Sequence, residues 1–282
     1  MSQKPVILTP DPWQPLQRLT QARVALGRVG VSLPTREVLR FSTAHAQARD
    51  AVHLALDVNG LAEELQQDGF QTLAVRSQAP DRATYLRRPD YGRRLDPACR
   101  AQLADPGLNL WPQPRRLAIV VADGLSSLAT RRHTRAFLAA LKAYLPDLPH
   151  QPLVIATQAR VALGDEIGHG LGAEQVVVLI GERPGLSSPD SLGLYLTTGP
   201  RPGLTDAQRN CISNVRPEGL PYAAAARKLA FLIEGARRLG RTGVDLKDDS
   251  DAPALVAPPA APTLAAPTSL SFSTMNLPEI TT

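Results

Sequence analysis

The spacing of apolar positions changes character around Pro112 and Pro114. Beyond that point, apolar runs of four to six residues, bounded by Gly or Pro, alternate with stretches of helical period. The runs are Leu117 to Val121, Leu153 to Ala156, Val176 to Ile180 and Leu192 to Thr197. Between the first two, Phe137, Leu138, Leu141 and Leu145 predict a helix over Thr130 to Leu145; after the last, Leu229, Leu232 and Ile233 predict another over Ala223 to Leu239. Strand and helix in alternation predict a mostly parallel sheet covered by helices and joined by right-handed crossovers, a Rossmann-like α/β domain spanning 113–247.

Upstream, residues 21–112 read as a smaller region of helix and loop. Val38, Leu39, Phe41, Ala44, Ala48 and Val52 recur near the 3.6 period, with Pro34 as punctuation and Thr35 as the expected cap. His45 and Arg49 share one face of this helix, expected to be solvated or to form an interface. Ser77 to Arg94 carries Pro80, Pro89, five arginines and two tyrosines, the composition of an ordered loop region. Residues 1–20, with Pro5, Pro10, Pro12 and Pro15 around Trp13, predict an extended lead-in that docks on another surface. From Asp248 the chain turns to Ala, Pro, Ser and Thr, so 248–282 is expected to be a flexible tail, with an apolar docking peptide near Leu270 to Leu277.

Composition narrows the function classes. The only cysteines are Cys99 and Cys211, there is no CxxC, and the N-terminus has no charged-then-apolar secretory pattern, which points to a reducing, cytoplasmic setting. The longest apolar runs fall far short of the roughly 18 residues a spanning helix needs, so no membrane segment is expected. A net charge of +5 permits nucleic-acid binding, but aromatics make up only 4% and the basic residues are scattered. Nucleic acid is therefore not an expected partner. Four of the 31 basic residues are lysine; the arginine excess suits fixed hydrogen bonds and interfaces, and equally fits a codon bias.

The residues carry no self-sufficient catalytic constellation. Gly168, Gly170 and Ala173 match a G-x-G-x-x-A dinucleotide pattern, but they precede a strand, whereas the fingerprint must follow one and open a helix. No G-x-S-x-G elbow pairs a nucleophile with His45, His53, His133, His150 or His169, and no His or Cys spacing suits a metal. What remains is a set of polar turns placed after the predicted strands: Asp123 to Ser126, Gly181 to Leu186, and Asn210 to Asn214. Open α/β sheets bind ligands at the carboxyl ends of their strands, and three such turns converging there favour a pocket. On the residues alone, a free-standing α/β nucleotide-binding or regulatory protein stays open.

Six segments resemble a known family: ARVALGRVGVSLPT (22–35), AHAQARDAV (44–52), YLRRPDYGRRL (85–95), VADGLSS (121–127), VVVLIGERPGLSSPDSLGLYL (176–196) and RNCISNVRPEGLPY (209–222). They are similar to the small subunit, or light chain, of ethanolamine ammonia-lyase, in order over about residues 20–247. The resemblance implies a lyase of ethanolamine degradation that uses adenosylcobalamin to convert ethanolamine to acetaldehyde and ammonia. It implies a hetero-oligomer in which a large TIM-barrel subunit carries substrate and radical chemistry while the small subunit forms one wall of the cobalamin site. No catalytic residue and no protein ligand to cobalt are then expected here. The D-x-H-x-x-G segment that supplies such a histidine in some cobalamin proteins is missing, so the cofactor is expected to keep its own benzimidazole as lower ligand.

Carried over by motif, Val161 in ARVA is expected to offer apolar or backbone contact to the corrin edge. Glu182 of GERPG is expected to accept hydrogen bonds from the corrin amides, and Cys211 of NCISN to pack on the cofactor without redox or nucleophilic work. Without the resemblance, Val161 would read as plain core, Glu182 as a partner of Arg183 or another arginine, and Cys211 as a small buried hydrophobe. Some relatives reside in bacterial microcompartments and carry an amphipathic targeting helix; the proline-rich lead-in here does not look like one.

Overall fold

A computed structural model describes residues 8–250, apart from 106, 108, 109 and 112. The tail from 251 onward, with its expected docking peptide, lies outside the described residues. The rest is built on one mixed sheet of six strands flanked on both faces by helices.

In chain order the elements are α1 (Thr35–His53), α2 (Val58–Gln67), β1 (Thr72–Arg76), α3 (Arg82–Arg87), α4 (Pro97–Leu103), β2 (Leu117–Ala122), α5 (Ser127–Lys142), β3 (Leu153–Thr157), α6 (Leu163–Gly170), β4 (Gln175–Gly181), β5 (Leu192–Thr198), β6 (Asn210–Val215) and α7 (Tyr222–Leu239). The strands are ordered β1-β3-β2-β4-β5-β6. The first four run parallel, and β5 and β6 continue the sheet as antiparallel neighbours.

The central strands β2, β3 and β4 are continuous apolar runs because both of their faces are covered. Leu117, Ile119 and Val121 face α2, α5 and α7 in one core; Ala118, Val120 and Ala122 face α4 and α6 in the other. The four strands expected from sequence are all present, each extended by one or two residues. Helix α5 starts three residues before the expected position, because Ser126 accepts the Ala129 N–H at 3.2 Å and caps it. Thr35 is not the cap of α1: Pro34 holds that position and Thr35 is the first helical residue.

Two strands differ from the sequence reading. The region 21–112, read as helix and loop, also supplies β1, a five-residue edge strand paired only with β3 and partly exposed, so its pattern lacks a double-buried run. Asn210 to Asn214, expected to be a turn, is instead most of β6. Its Ile212 and Val215 point into the core while Cys211 and Ser213 point out; the two buried positions are three apart because the pairing with β5 is irregular between Leu192 and Leu194, so the strand lacks a clean period-2 pattern. No helix among the described residues is long and apolar enough to cross a membrane.

Candidate functional site

The carboxyl ends of β2 and β4 meet in a close backbone contact. The Leu125 N–H donates to the Gly181 carbonyl at 2.9 Å. A Cβ on Gly124 would lie 2.2 Å from that same oxygen, and a Cβ on Gly181 would lie 2.0 Å from the Ser126 carbonyl. Gly124 also has φ of +56°. Two of the turns singled out from sequence therefore do converge. The Asp123 carboxylate is committed to the scaffold: it accepts the Gln158 and Ala159 backbone N–H groups at 2.8 and 3.0 Å and faces Arg82 at 3.4 Å.

Arg82 in turn donates to the Val52 carbonyl at 2.7 Å, which ties α1 to the β2 and β3 turns. Tyr85 lies beneath, fully buried between the guanidinium groups of Arg82 and Arg160, and its hydroxyl donates to the Ala159 carbonyl at 2.9 Å. Burial raises the Tyr85 phenol well above its ordinary range. The arginine-rich stretch 77–94 is thus an ordered buttress for the strand ends.

Glu182 follows β4 directly. It accepts from Ser191 Oγ at 2.7 Å and from the Asn214 backbone N–H at 3.3 Å, bridging the ends of β4, β5 and β6. No arginine bonds it among the described residues, so its reading as an Arg183 partner does not hold. Cys211 lies three residues back along β6, directly opposite Tyr195 of β5, and is exposed with Sγ 3.3 Å from Ser213 Oγ. Its reading as a buried hydrophobe does not hold either. Tyr195 is half-buried; burial first, then the Cys211 thiol and the Glu182 charge, push its phenol up.

Gly193, two residues before Tyr195 and so on the same face, is buried beneath Glu182 and the Tyr195 ring. A Cβ there would press at 3.0 Å on both Glu182 Oε1 and Tyr195 Cε2. Tyr195 was not singled out from sequence, although Leu192-Gly193-Leu194-Tyr195-Leu196 alternates strictly: the leucines enter the core with α7, leaving Gly193 and Tyr195 to the opposite face.

Val161 sits in the turn between β3 and α6 and is half-buried against the same core as Tyr195, on the α6 side of the sheet. Glu182, Cys211 and Val161 therefore all belong to that side: the first two are joined through Tyr195, while Val161 borders a separate cleft of about 590 Å³. The floor of the cleft is the buried Arg209–Asp165 ion pair, with Asp206 3.0 Å from the other guanidinium nitrogen. Gly168 and Gly170, which resembled a dinucleotide pattern, serve packing: a Cβ on Gly168 would lie 2.7 Å from Pro200, and one on Gly170 3.1 Å from Leu103.

The N-terminal segment is the other distinctive surface. Among the described residues, 8–54 hold 11 of the 15 exposed large hydrophobic side chains, including Trp13, Leu19, Val31, Val38, Leu39 and Phe41, and α1 buries only Glu37, Ala44 and Ala51. Just after the lead-in, Arg23 donates to the Leu186 carbonyl at 3.2 Å, on the turn that follows Glu182.

Comparison with known proteins gives a consistent answer. The family model described as ethanolamine ammonia-lyase light chain matches residues 10–247. Among curated proteins, the ethanolamine ammonia-lyase small subunit of Azotobacter vinelandii is 56% identical over 249 residues, covering 86% of this chain and 90% of its own length. The small subunit of Ralstonia nicotianae is 54% identical over 255 residues, 90% of this chain and 94% of its own. That of Pseudomonas aeruginosa strain PAO1 is 55% identical over 247 residues, 87% and 90% respectively.

Proposed function

The chain belongs to the ethanolamine ammonia-lyase light-chain family, and from that premise we propose that it forms one wall of an adenosylcobalamin site whose other wall, a large TIM-barrel subunit, carries the substrate and the reaction. The observation that carries this reading is the patch of half-buried Tyr195 and exposed Cys211, facing each other across β5 and β6 and bordered by the carboxylate of Glu182. The α6-side helices cover β2 and β4, and this outer part of the sheet remains open to a ligand.

The donor set suits the proposed ligand. A corrin ring is broad and apolar with a fringe of neutral amides, so it needs a flat apolar surface and a few placed acceptors. Glu182 has no arginine partner among the described residues, and bonds from Ser191 and Asn214 fix its orientation while leaving carboxylate lone pairs for amide N–H donors. Tyr195 and Cys211 supply the polarisable flat contact, and Val161 the apolar edge. When bound, adenosylcobalamin supplies the radical-generating chemistry that the protein residues lack. This chain's part is to bind and orient it and to keep water from one side. The sequence has no D-x-H-x-x-G segment to lend a histidine to cobalt, which supports a cofactor that keeps its own benzimidazole.

The mostly parallel sheet with helices on both faces is Rossmann-like in this reading, with a corrinoid where a nucleotide would sit. The exposed N-terminal apolar side chains support a hetero-oligomer, because a 19-residue helix with three buried positions gains little from packing within its own chain. We place the complex in the cytoplasm, in or outside a microcompartment.

Co-expression with the neighbouring large-subunit reading frame tests this. The expected result is a stable complex that retains cobalamin on gel filtration, with ammonia release only from the complex. Ammonia release by this chain alone, or retention of a nucleotide in place of the corrinoid, would overturn the reading.

A further inference from the structure

Helix α5 buries a histidine between two groups from distant parts of the chain. The Nδ1 of His133 is 2.7 Å from the Tyr222 hydroxyl at the start of α7, and its Nε2 is 3.5 Å from the Asp190 carboxylate, in the loop between β4 and β5. Burial first, then the Glu218 and Asp190 charges, push the Tyr222 phenol up, so the hydroxyl keeps its proton and donates it to Nδ1. The imidazole proton then sits on Nε2, aimed at Asp190. Among the described residues nothing hydrogen-bonds Nε2, although the atom is buried, and the Asp190 carboxylate is the group that faces it. A buried donor so placed holds its acceptor close, because leaving the donor empty costs its full desolvation. Arg132 also reaches Asp190, at 2.8 Å, but its side chain is more than half exposed and solvent screens the pair.

The next residue, Ser191, is the one that orients Glu182. Its Oγ donates to Glu182 at 2.7 Å, whereas the Asn214 N–H straddles both carboxylate oxygens at 3.3 and 3.4 Å. The end of the loop is therefore pinned at three consecutive residues: the Pro189 carbonyl by Ser126 Oγ at 3.2 Å, Asp190 by α5, and Ser191 by Glu182. We infer that His133 is a positioning residue for the cofactor wall, setting the direction of the Glu182 carboxylate through Asp190 and Ser191. The inference rests on the cobalamin reading. His133 itself stands apart from the ligand, since α5 packs on the opposite face of the sheet from Tyr195. With Asp190 set loose, Ser191 can turn away and leave Glu182 the long, shared Asn214 contact. A carboxylate free to rotate loses the preorganisation that favours amide donors.

The test is isothermal titration of the two-subunit complex with adenosylcobalamin. His133→Asn keeps an acceptor near the place of Nδ1 and removes the donor toward Asp190; His133→Gln brings an amide N–H to the place of Nε2 and restores that donor. Asp190→Ala removes the acceptor from the loop side without touching the packing of α5 on α7, so the question stays open to experiment even if His133→Asn unfolds. Each variant is made with Glu182 present and again in a Glu182→Ala background. The expected result is an affinity about fivefold lower in His133→Asn and in Asp190→Ala, the scale of one net hydrogen bond, and within about twofold of the unsubstituted complex in His133→Gln. In the Glu182→Ala background all three should match the background, because the group that His133 positions is gone. Equal losses in His133→Asn and His133→Gln, or losses that persist undiminished without Glu182, would reduce His133 to a packing residue and overturn the inference. Unchanged affinity in both His133→Asn and Asp190→Ala would overturn it as well. If the unsubstituted complex takes no cobalamin, the corrin-wall reading fails, and the tether is read instead in the isolated chain by amide hydrogen exchange. Faster exchange at Glu182 and Asn214 in His133→Asn than in His133→Gln supports the tether; equal exchange in the two overturns it.

Discussion

Tyr195 and Cys211 stand directly opposite one another across the β5–β6 ladder, on the face from which Gly193 withholds any side chain. Burial, reinforced by the Cys211 thiol, raises the Tyr195 phenol. A raised tyrosine favours the protonated folded state, so this contribution to stability is complete below the ordinary phenol pKa of about 10 and is lost as pH climbs past it. Cys211→Ala is expected to bring the Tyr195 transition back toward the ordinary range. Spectrophotometric titration of the phenols, with Tyr195→Phe to assign the transition, checks this; an unmoved transition would disprove the coupling.

Glu182 and the Tyr195 ring close over Gly193 and leave little room for a side chain there. Gly193→Val would push its side chain against Glu182 Oε1 and Tyr195, both of which can give way, so the chain should fold with a loss of no more than about 1 to 2 kcal/mol. Cobalamin retention by the complex should fall far more, as it should in Cys211→Trp. Glu182→Ala should weaken retention too, and Glu182→Gln less, since an amide oxygen still accepts. Retention unchanged in all four would reject the assignment of this face.

At Gly181 the outcome reverses. A Cβ there would collide with the backbone carbonyls of Ser126 and Asp123, at 2.0 and 2.8 Å, and no flexible side-chain end is available to move. Gly181→Ala is expected to cost more than about 3 kcal/mol, in the range reserved for forced backbone shifts in a packed region. Chemical denaturation of the isolated chain measures it, and a loss below about 1 kcal/mol would contradict the close contact.

The parts of this architecture that could be read from sequence were those with an unmixed burial pattern. Strands β2 and β4 are buried along their whole length and β3 in all but its last residue, so Val176 to Ile180 announces itself without any three-dimensional information. Edge strands do not. In β1, Thr72 to Arg76 is partly exposed, and in β6 the polar outward residues Cys211 and Ser213 resemble a turn. Of the candidate site, the turn Gly181 to Leu186 was visible just past a buried strand and the family resemblance picked Glu182 from it, whereas Tyr195 was not singled out although the leucine alternation around it held the signal. The Arg209–Asp165 floor was not visible, because its partners are 44 positions apart and an ion pair leaves no periodic trace. The Arg82–Asp123 contact, 41 positions apart, escaped detection for the same reason.

Acid should loosen one bracket before others. Glu64 and Asp68 at the end of α2 are bonded to Arg131 and Arg135 of α5, and those hydrogen bonds hold both carboxylates below their ordinary range. A lowered folded pKa gives stability that is present above the ordinary values, 4.5 and 3.8, and is lost as pH falls through the lower folded ones. Glu64→Gln/Asp68→Asn should therefore lower the thermal midpoint slightly at pH 7 and flatten its decline below pH about 4. Parallel acid limbs in the two proteins would show that the bracket carries no pH dependence.

The exposed N-terminal side chains make the final prediction, because their cost to the isolated chain and their value to an assembly have opposite signs. Val38, Leu39 and Phe41 keep 46, 61 and 47% of their surface exposed on α1, with the Arg23 guanidinium and the His45 ring set against Phe41, at 6.0 and 6.4 Å. Replacing an exposed apolar residue with a charged one changes folding stability by no more than about 0.5 kcal/mol, whereas a buried unpaired charge in an interface costs several. Val38→Asp/Phe41→Asp should thus leave the isolated chain's unfolding midpoint in place and reduce its self-association. In co-expression with the large subunit the same variant should fail to co-purify. Co-purification at the unsubstituted level would mean that the large subunit meets a different surface, leaving α1 without a role in the assembly.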